Sequence, residues 1–393
     1  MSVLFTNGGA TGSNPQLAKA TTTAKTFKDT TSADFATITG LVSDNVFANA
    51  DAVIDATCDT TYGADLTGST KWIGSALGHD GCIYAAPQTA TDILKINPLS
   101  GKATRSAMGA TLSGSNKYAG MVAGHKNKLY GIPLSATTIL QIDVEAQTAN
   151  DSSAMGATIV GASNWYGGVC ASNGKIYCVP HNSSTFLIID TLAETATTST
   201  LGFSFPAVNG KWRGGVLGKD GKIYCCPSTR PTILVIDPVA GSASEQTFGA
   251  TISAGNYNGC VGGPDGKIYF IPATATSVLV LDVDAGTTST LGASISNYSG
   301  GVMGPDGKIY CATTSASQYT FLIIDTAAVT ATKSDLGEAA VPVVNATGSL
   351  TMARAGDKLF SIPQSNTKLA VIGGFEKALP FAAEHSAFFA PSF

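Results

Sequence analysis

"GPDGKIY" occupies residues 263–269 and returns unchanged at 304–310. Variants of it stand at 78–84 (GHDGCIY), 124–130 (GHKNKLY), 171–177 (ASNGKIY), 218–224 (GKDGKIY) and 355–360 (AGDKLF). The copies align on Tyr84, Tyr130, Tyr177, Tyr224, Tyr269, Tyr310 and Phe360, with successive gaps of 46, 47, 47, 45, 41 and 50 residues. Asp-Gly and Asn-Gly between alternating or apolar runs mark hairpins, because a type I′ turn needs positive φ at both central residues. A period in the forties made of strands is the spacing of propeller blades.

Each unit reads as four strands. A short Gly/Val-rich strand such as GGVLG (214–218) leads into the turn, KIYCCP (222–227) follows it, and ILVIDP (233–238) comes after a polar loop. An Asp or Asn closes the third strand in the first six units: Asn97, Asp143, Asp190, Asp237, Asp282 and Asp325. Continuous apolar runs such as FLIID suit strands covered on both faces, as between stacked blades. The fold class expected is all-β, a seven-bladed β-propeller.

The seventh unit lacks a fourth strand after LAVIGG (369–374). At the other end of the chain, TTYGADLTGSTKW (60–72) has the pattern of QTFGATISAGNYN (246–258), a fourth strand running into the next first strand. Residues around 52–62 are therefore expected to supply the outer strand of the last blade and close the ring, which removes an exposed edge. The run AVID (52–55) also has the look of a third strand, which leaves a second arrangement of the joint open. The division expected is an irregular N-terminal extension (1–50) that anchors or docks, a propeller (51–375), and an aromatic-rich C-terminal tail (376–393) carrying Phe381, Phe388, Phe389 and Phe393.

Composition narrows the function classes. Charged residues are 13% of the 393 and the formal net charge is −4, with no Lys/Arg-rich block of the kind that grips nucleic acid. Apolar residues reach 44%, enough for a large core, yet no run approaches the ~18 residues of a membrane span. The start, MSVLFTNGGATGSNP, lacks the charged and apolar regions of a secretion signal. None of the eight cysteines has zinc-ligand spacing, and Cys178, Cys225 and Cys311 recur directly after the motif Tyr, as small core residues do. Reduced thiols and folding in a reducing compartment are expected.

The stretch from GPDGKIY to VLDVDAG resembles the propeller repeats of the NHL and streptogramin-lyase type, over roughly 70–375. That resemblance implies a propeller, and for the lyases a catalytic His with acidic and metal-binding help at the ring centre. The histidines of this chain are His79, His125, His181 and His385. His79 and His125 fall in the tight turns, and no second His accompanies His181, so the lyase pattern is not met at the residues that carry it.

Twelve residues before the motif aromatic stands a second series: Trp72, Tyr118, Trp165, Trp212, Tyr257 and Tyr298. Lys71, Lys117, Asn164, Lys211, Asn256 and Asn297 precede them. Aromatic faces beside Lys and Asn suit a glycan platform at one mouth of the channel; packing between blades is the other reading, and the commoner one in repeats. His181, with Asn182, and Arg230 lie in second-to-third-strand loops on the same face and are the polar candidates for ligand contact. The turn Asp residues (Asp80, Asp220, Asp265, Asp306) come one per turn and do not converge on a cation. No G-x-S-x-G elbow or Ser/His/Asp set can be assembled, and GGATGSNP (8–15) lacks the Lys of a phosphate loop. No catalytic residue, metal or cofactor is expected.

Among three classes, the sequence reading prefers a non-enzymatic structural or binding propeller. The preferred setting is a virion component, a phage tail or capsid-surface part made in the host cytoplasm. In that reading both termini hold other structural proteins of the particle, and the propeller serves assembly or attachment to a receptor or surface glycan in a homo- or hetero-oligomer. The alternatives are a lyase or hydrolase with its site at the channel mouth, and a cytoplasmic protein-docking scaffold.

Overall fold

In a computed structural model of the chain, the described residues are 55–59 (backbone only), 62–252, 257–315, 320–336, 351–365 and 368–375. They form seven four-stranded antiparallel sheets and no α-helix. Each inner strand packs against the inner strands of both neighbours, so the ring is continuous from blade seven back to blade one. Burial falls outward within a blade: in blade four the second strand Ile223–Pro227 is buried throughout, and the outer strand Ser242–Gln246 alternates exposed and half-buried residues. The core lies between blades. One cluster joins Tyr84, Ala86 and Ile93 of blade one to Tyr118, Met121, Leu140 and Ile142 of blade two, and similar clusters repeat round the ring.

The recurrent motif is a local staple. In blade four Asp220 Oδ1 accepts the Lys222 N–H at 3.2 Å, which closes the turn, and Oδ2 accepts the Tyr224 hydroxyl at 2.9 Å. The same Asp–Tyr bond occurs at Asp80–Tyr84, Asp265–Tyr269 and Asp306–Tyr310, and Asn173 donates to Tyr177 in blade three. The Gly that opens the motif leaves room for the ring: a Cβ on Gly218 would sit 2.7 Å from the edge of Tyr224. The motif Lys reaches the Asp ending the third strand, as in Lys308–Asp325 at 3.0 Å. That Asp also accepts backbone N–H groups of its own turn, as Asp237 does from Val239 and Ala240. Turn and core aromatic are thus written into seven consecutive letters, and the motif Lys adds a charge pair with the third strand.

Blade two breaks the staple. Lys126 stands where blades one and three to six have Asp or Asn, and it pairs with Glu194 at 2.9 Å. The Tyr130 hydroxyl is consequently buried with the Gln141 side chain as its nearest polar neighbour and no hydrogen bond of good geometry among the described residues. An orphaned buried hydroxyl costs about 1–3 kcal/mol. Tyr130→Phe is therefore expected to stabilise the protein, by about 1 kcal/mol. Tyr224→Phe, which loses a bond to a carboxylate, should destabilise by about 1.5–3 kcal/mol. Urea unfolding of the two variants checks the opposite signs; a loss of stability in Tyr130→Phe would mean its hydroxyl is bonded.

The ring closes as expected from the sequence. Asp55–Asp59 is the outer strand of blade seven, antiparallel to Leu369–Gly373, with Asp55 opposite Gly373 and Asp59 opposite Leu369. Of the run 52–55 only Asp55 is described, and it opens the closing strand. Residues 1–54 and 376–393, with the anchoring and tail roles expected of them, lie outside the described residues.

Candidate functional site

The upper face of the ring carries the second-to-third-strand loops and the connections between blades; the Asp-Gly turns lie on the lower face. On the upper face a repeated backbone bond ties each blade to the next: the N–H of Lys71, Lys117, Asn164, Lys211 and Asn297 donates to the carbonyl of Gln364, Gln88, Leu134, His181 and Ala273, at 2.7–2.9 Å. The residue after each bond donor is the aromatic of the second series. Trp72, Tyr118, Trp165, Trp212, Tyr257 and Tyr298 are all buried, the most exposed being Tyr257 at 7%. Each indole N–H of Trp72, Trp165 and Trp212 donates to a backbone carbonyl of its own blade, at Asp92, Thr185 and Thr232. These six rings fill the wedge between blades and do not present their faces at the mouth.

The lysines beside them are buried too. Lys71, Lys117 and Lys211 each donate Nζ to a carbonyl three residues earlier, in the incoming connection, at 2.8, 2.8 and 3.1 Å. Asn164 makes the matching bond to Val160 O, and Asn256 lies outside the described residues. Burial holds Lys71 and Lys211 down to about 8. Arg230 is committed elsewhere, as a fork on the Glu245 carboxylate with Nε and Nη2 at 3.2 and 2.8 Å.

His181 sits differently. It follows the second strand of blade three and packs against Tyr166, ring centres 5.7 Å apart. Its Nδ1 lies 3.3 Å from Ser163 O, and its Nε2 receives Arg213 Nε at 3.2 Å, which assigns the proton to Nδ1. Arg213 in turn lies over the Tyr166 ring, 5.3 Å from its centroid. Tyr166 rests on Ile73, Ala119 and Leu134. His181, Arg213 and Tyr166 thus form one half-buried cluster at the upper mouth, from blades three and four. His181 was legible in the sequence; Tyr166 and Arg213 were not singled out. The signal lay in the position after each aromatic, which reads Ile73, Ala119, Tyr166, Arg213, Asn258, Ser299 and does not repeat.

Burial first, then the Arg213 and Lys211 charges, hold His181 down to about 4. Its unfolded value is near 6.5. Above about pH 6.5 both states carry a neutral ring, and as pH falls toward 4 the unfolded chain takes up the proton first, so stability is lost through that window. With partial exposure allowed for, the loss is about 1–3 kcal/mol. Comparing melts at pH 7 and pH 4.5 for the wild type and His181→Gln should show a smaller acid loss in the variant; equal losses would place the titration elsewhere.

Among the described residues no group of three or more His, Cys, Asp or Glu is placed to hold a metal ion, and no helix is long and apolar enough to cross a membrane. The seven cysteines with described side chains are free thiols, and burial raises the affinity of Cys178, Cys225, Cys226 and Cys311 for their protons.

No family model matches this chain. No curated protein matches it either. Solved structures do. A catalytically inactive variant of virginiamycin B lyase from Staphylococcus aureus, with quinupristin, superposes with TM-score 0.63 at 14% identity, over 81% of this chain and 98% of that one. A streptogramin B lyase gives 0.62 at 12%, over 82% and 99%. The extracellular domain of a putative one component system from B. thetaiotaomicron gives 0.60 at 8%, over 82% of this chain and 43% of that one. At such identities the likeness is one of fold: this chain is a β-propeller, and its neighbours in structure include both enzymes and extracellular domains.

Proposed function

We propose that this chain is a non-catalytic display propeller, fixed to a particle through its lower face and its two flanking segments, as a virion component assembled in a host cytoplasm would be. The observation that carries the reading is the place where the flanks attach. The closing strand begins at Asp55 and the third strand of blade seven ends at Gly373, and these two residues are paired. The preceding and following segments therefore join the ring side by side, on the lower face of one blade. The same face carries exposed apolar side chains, Leu99, Leu192, Val239 and Val329, at the turns after the third strands, with Leu77 beside them. They stand one to a turn on blades one, three, four and six, and the other exposed large apolar residues among those described, Val160 and Val208, lie on the upper connections. The tail's four Phe add apolar material for contact with a particle, each worth about 1.5–3 kcal/mol when buried. Against chemistry by His181, both its ring nitrogens are already engaged.

Limited proteolysis tests this. In the isolated chain, cleavage should fall in 1–54 and 376–393 and leave the ring intact; in the purified particle the same bonds should be protected. Resistance of both flanks in the isolated monomer, or a chain that never co-purifies with a particle, overturns the reading.

A further inference from the structure

Of the four arginines of the ring, Arg213 and Arg354 stand on inner strands without an ion pair among the described residues; Arg354 lies by the lower turn, where its Nε donates to Gly356 O at 3.0 Å. Arg105 and Arg230 sit toward the outer strands and are answered by carboxylates, Asp92 at 2.9 Å and Glu245 at 2.8 Å. Arg213 stands on the inner strand Trp212–Leu217, and among the described residues it has no ion pair. Its one hydrogen-bond partner there is the neutral Nε2 of His181, which leaves the two terminal NH2 groups without acceptors. These N–H groups are open to solvent, where water or a dissolved oxyanion supplies the acceptor oxygens.

The side chain is also held still. Its plane lies over Tyr166, its Nε is tied to His181, and His181 is tied to Ser163 O. Tyr166 is propped by Ile73, Ala119 and Leu134. A fork fixed in this way has already given up the side-chain freedom that binding would otherwise remove. Among the described residues no carboxylate is paired with it. His181 stays neutral, and the other charge acting on the His181 ring is a second cation, the Lys211 ammonium. The next blade contributes Asn258, half-buried, at the matching position.

We propose that the Arg213 fork, backed by Tyr166 and His181, is a binding site for a compact oxyanion, a carboxylate or phosphate-type group of a small molecule, at the upper mouth of the ring. Two oxygens in the guanidinium plane would take the terminal N–H groups, the geometry at which Arg excels. A single fork with no basic stripe round it does not track a nucleic-acid backbone. The site lies on the face opposite Asp55 and Gly373, the points where the flanks join the ring, so it does not rest on the reading of what the flanks hold.

Titration calorimetry on the full chain at low ionic strength tests it, with sodium phosphate and sodium acetate as separate probes and chloride as the screening control. One saturable site per chain is expected for at least one probe, and which probe binds tells the phosphate and carboxylate sources apart. Arg213→Gln should weaken binding at least about tenfold, and Arg213→Lys, which keeps the charge and loses the fork, should fall between. Lys102→Gln, at an exposed outer-strand position, should bind as the wild type does. Melting curves of the Arg213 variants establish that they are folded. Failure of both probes to saturate, or unchanged affinity in folded Arg213→Gln, overturns the proposal and leaves the flank reading untouched.

Discussion

Gly74→Ala is expected to cost more than about 4 kcal/mol, the range reserved for severe backbone or core lesions. Six inner strands carry a register shift two residues after the aromatic opens the strand. The glycines there, from Gly74 through Gly120, Gly167, Gly214 and Gly259 to Gly300, all have positive φ and approach one another round the axis. A Cβ on Gly74 would fall 2.3 Å from Gly120 Cα and 2.8 Å from Gly120 N. Both atoms are backbone, so no rotamer change relieves the overlap. Two controls separate the causes. Gly81 has the same φ of 74° with nothing within 4 Å of a Cβ, so Gly81→Ala should cost only the left-handed term, about 1–2 kcal/mol. Gly214, where the nearest atom is Gly259 Cα at 3.5 Å, should behave nearly like Gly81. Denaturant unfolding of the three variants decides: equal costs would mean that blades one and two can part at no expense.

The same register shift explains what the sequence concealed. Seven copies of a turn-and-strand motif fix strand order, period and closure, and in five of them the turn-to-tyrosine bond is made within the motif itself. The second aromatic series is equally regular, and its position at the start of the innermost strand left a platform open beside the commoner reading, packing between blades. Regularity there had a different origin. Every junction between wedge-shaped blades needs a large side chain at the same height, and Trp212 and its counterparts supply it with the indole N–H satisfied inside the blade. The lysines before them were legible as polar groups near the mouth, but not as ammonium groups folded back onto Gly68, Gly114 and Val208. The cluster at the mouth is carried by residues that depart from the repeat, Tyr166 and Arg213. A period search discards such residues, and only neighbouring blades in three dimensions bring them to His181.

Deleting residues 1–59 should remove about 5 kcal/mol of stability and make the chain associate further with rising concentration. The lost strand pairs five residues with Leu369–Gly373, at about 1 kcal/mol for each backbone hydrogen bond made. What remains is a third strand with its outer edge bare, and a flat unpaired edge recruits other edges. A second seal limits the damage. Lys71 N–H reaches Gln364 O at 2.8 Å, Thr70 N–H reaches Ser365 Oγ at 3.1 Å, and Gln364 Nε2 donates to Gln88 Oε1 at 2.9 Å. Tyr62 also packs edge-on against Phe360 of blade seven, 5.8 Å between centroids. The truncated ring should therefore stay folded at low temperature, melt well below the full chain and self-associate with rising concentration. Deletion of residues 1–54 keeps every described pair of the closing strand and should melt with the full chain. Chains beginning at 55 and at 60, compared by thermal melts and sedimentation, isolate the five residues of the strand. If the two melt together and sediment alike, the closing strand adds nothing, and the inter-blade bonds of the upper face alone hold blade seven to blade one.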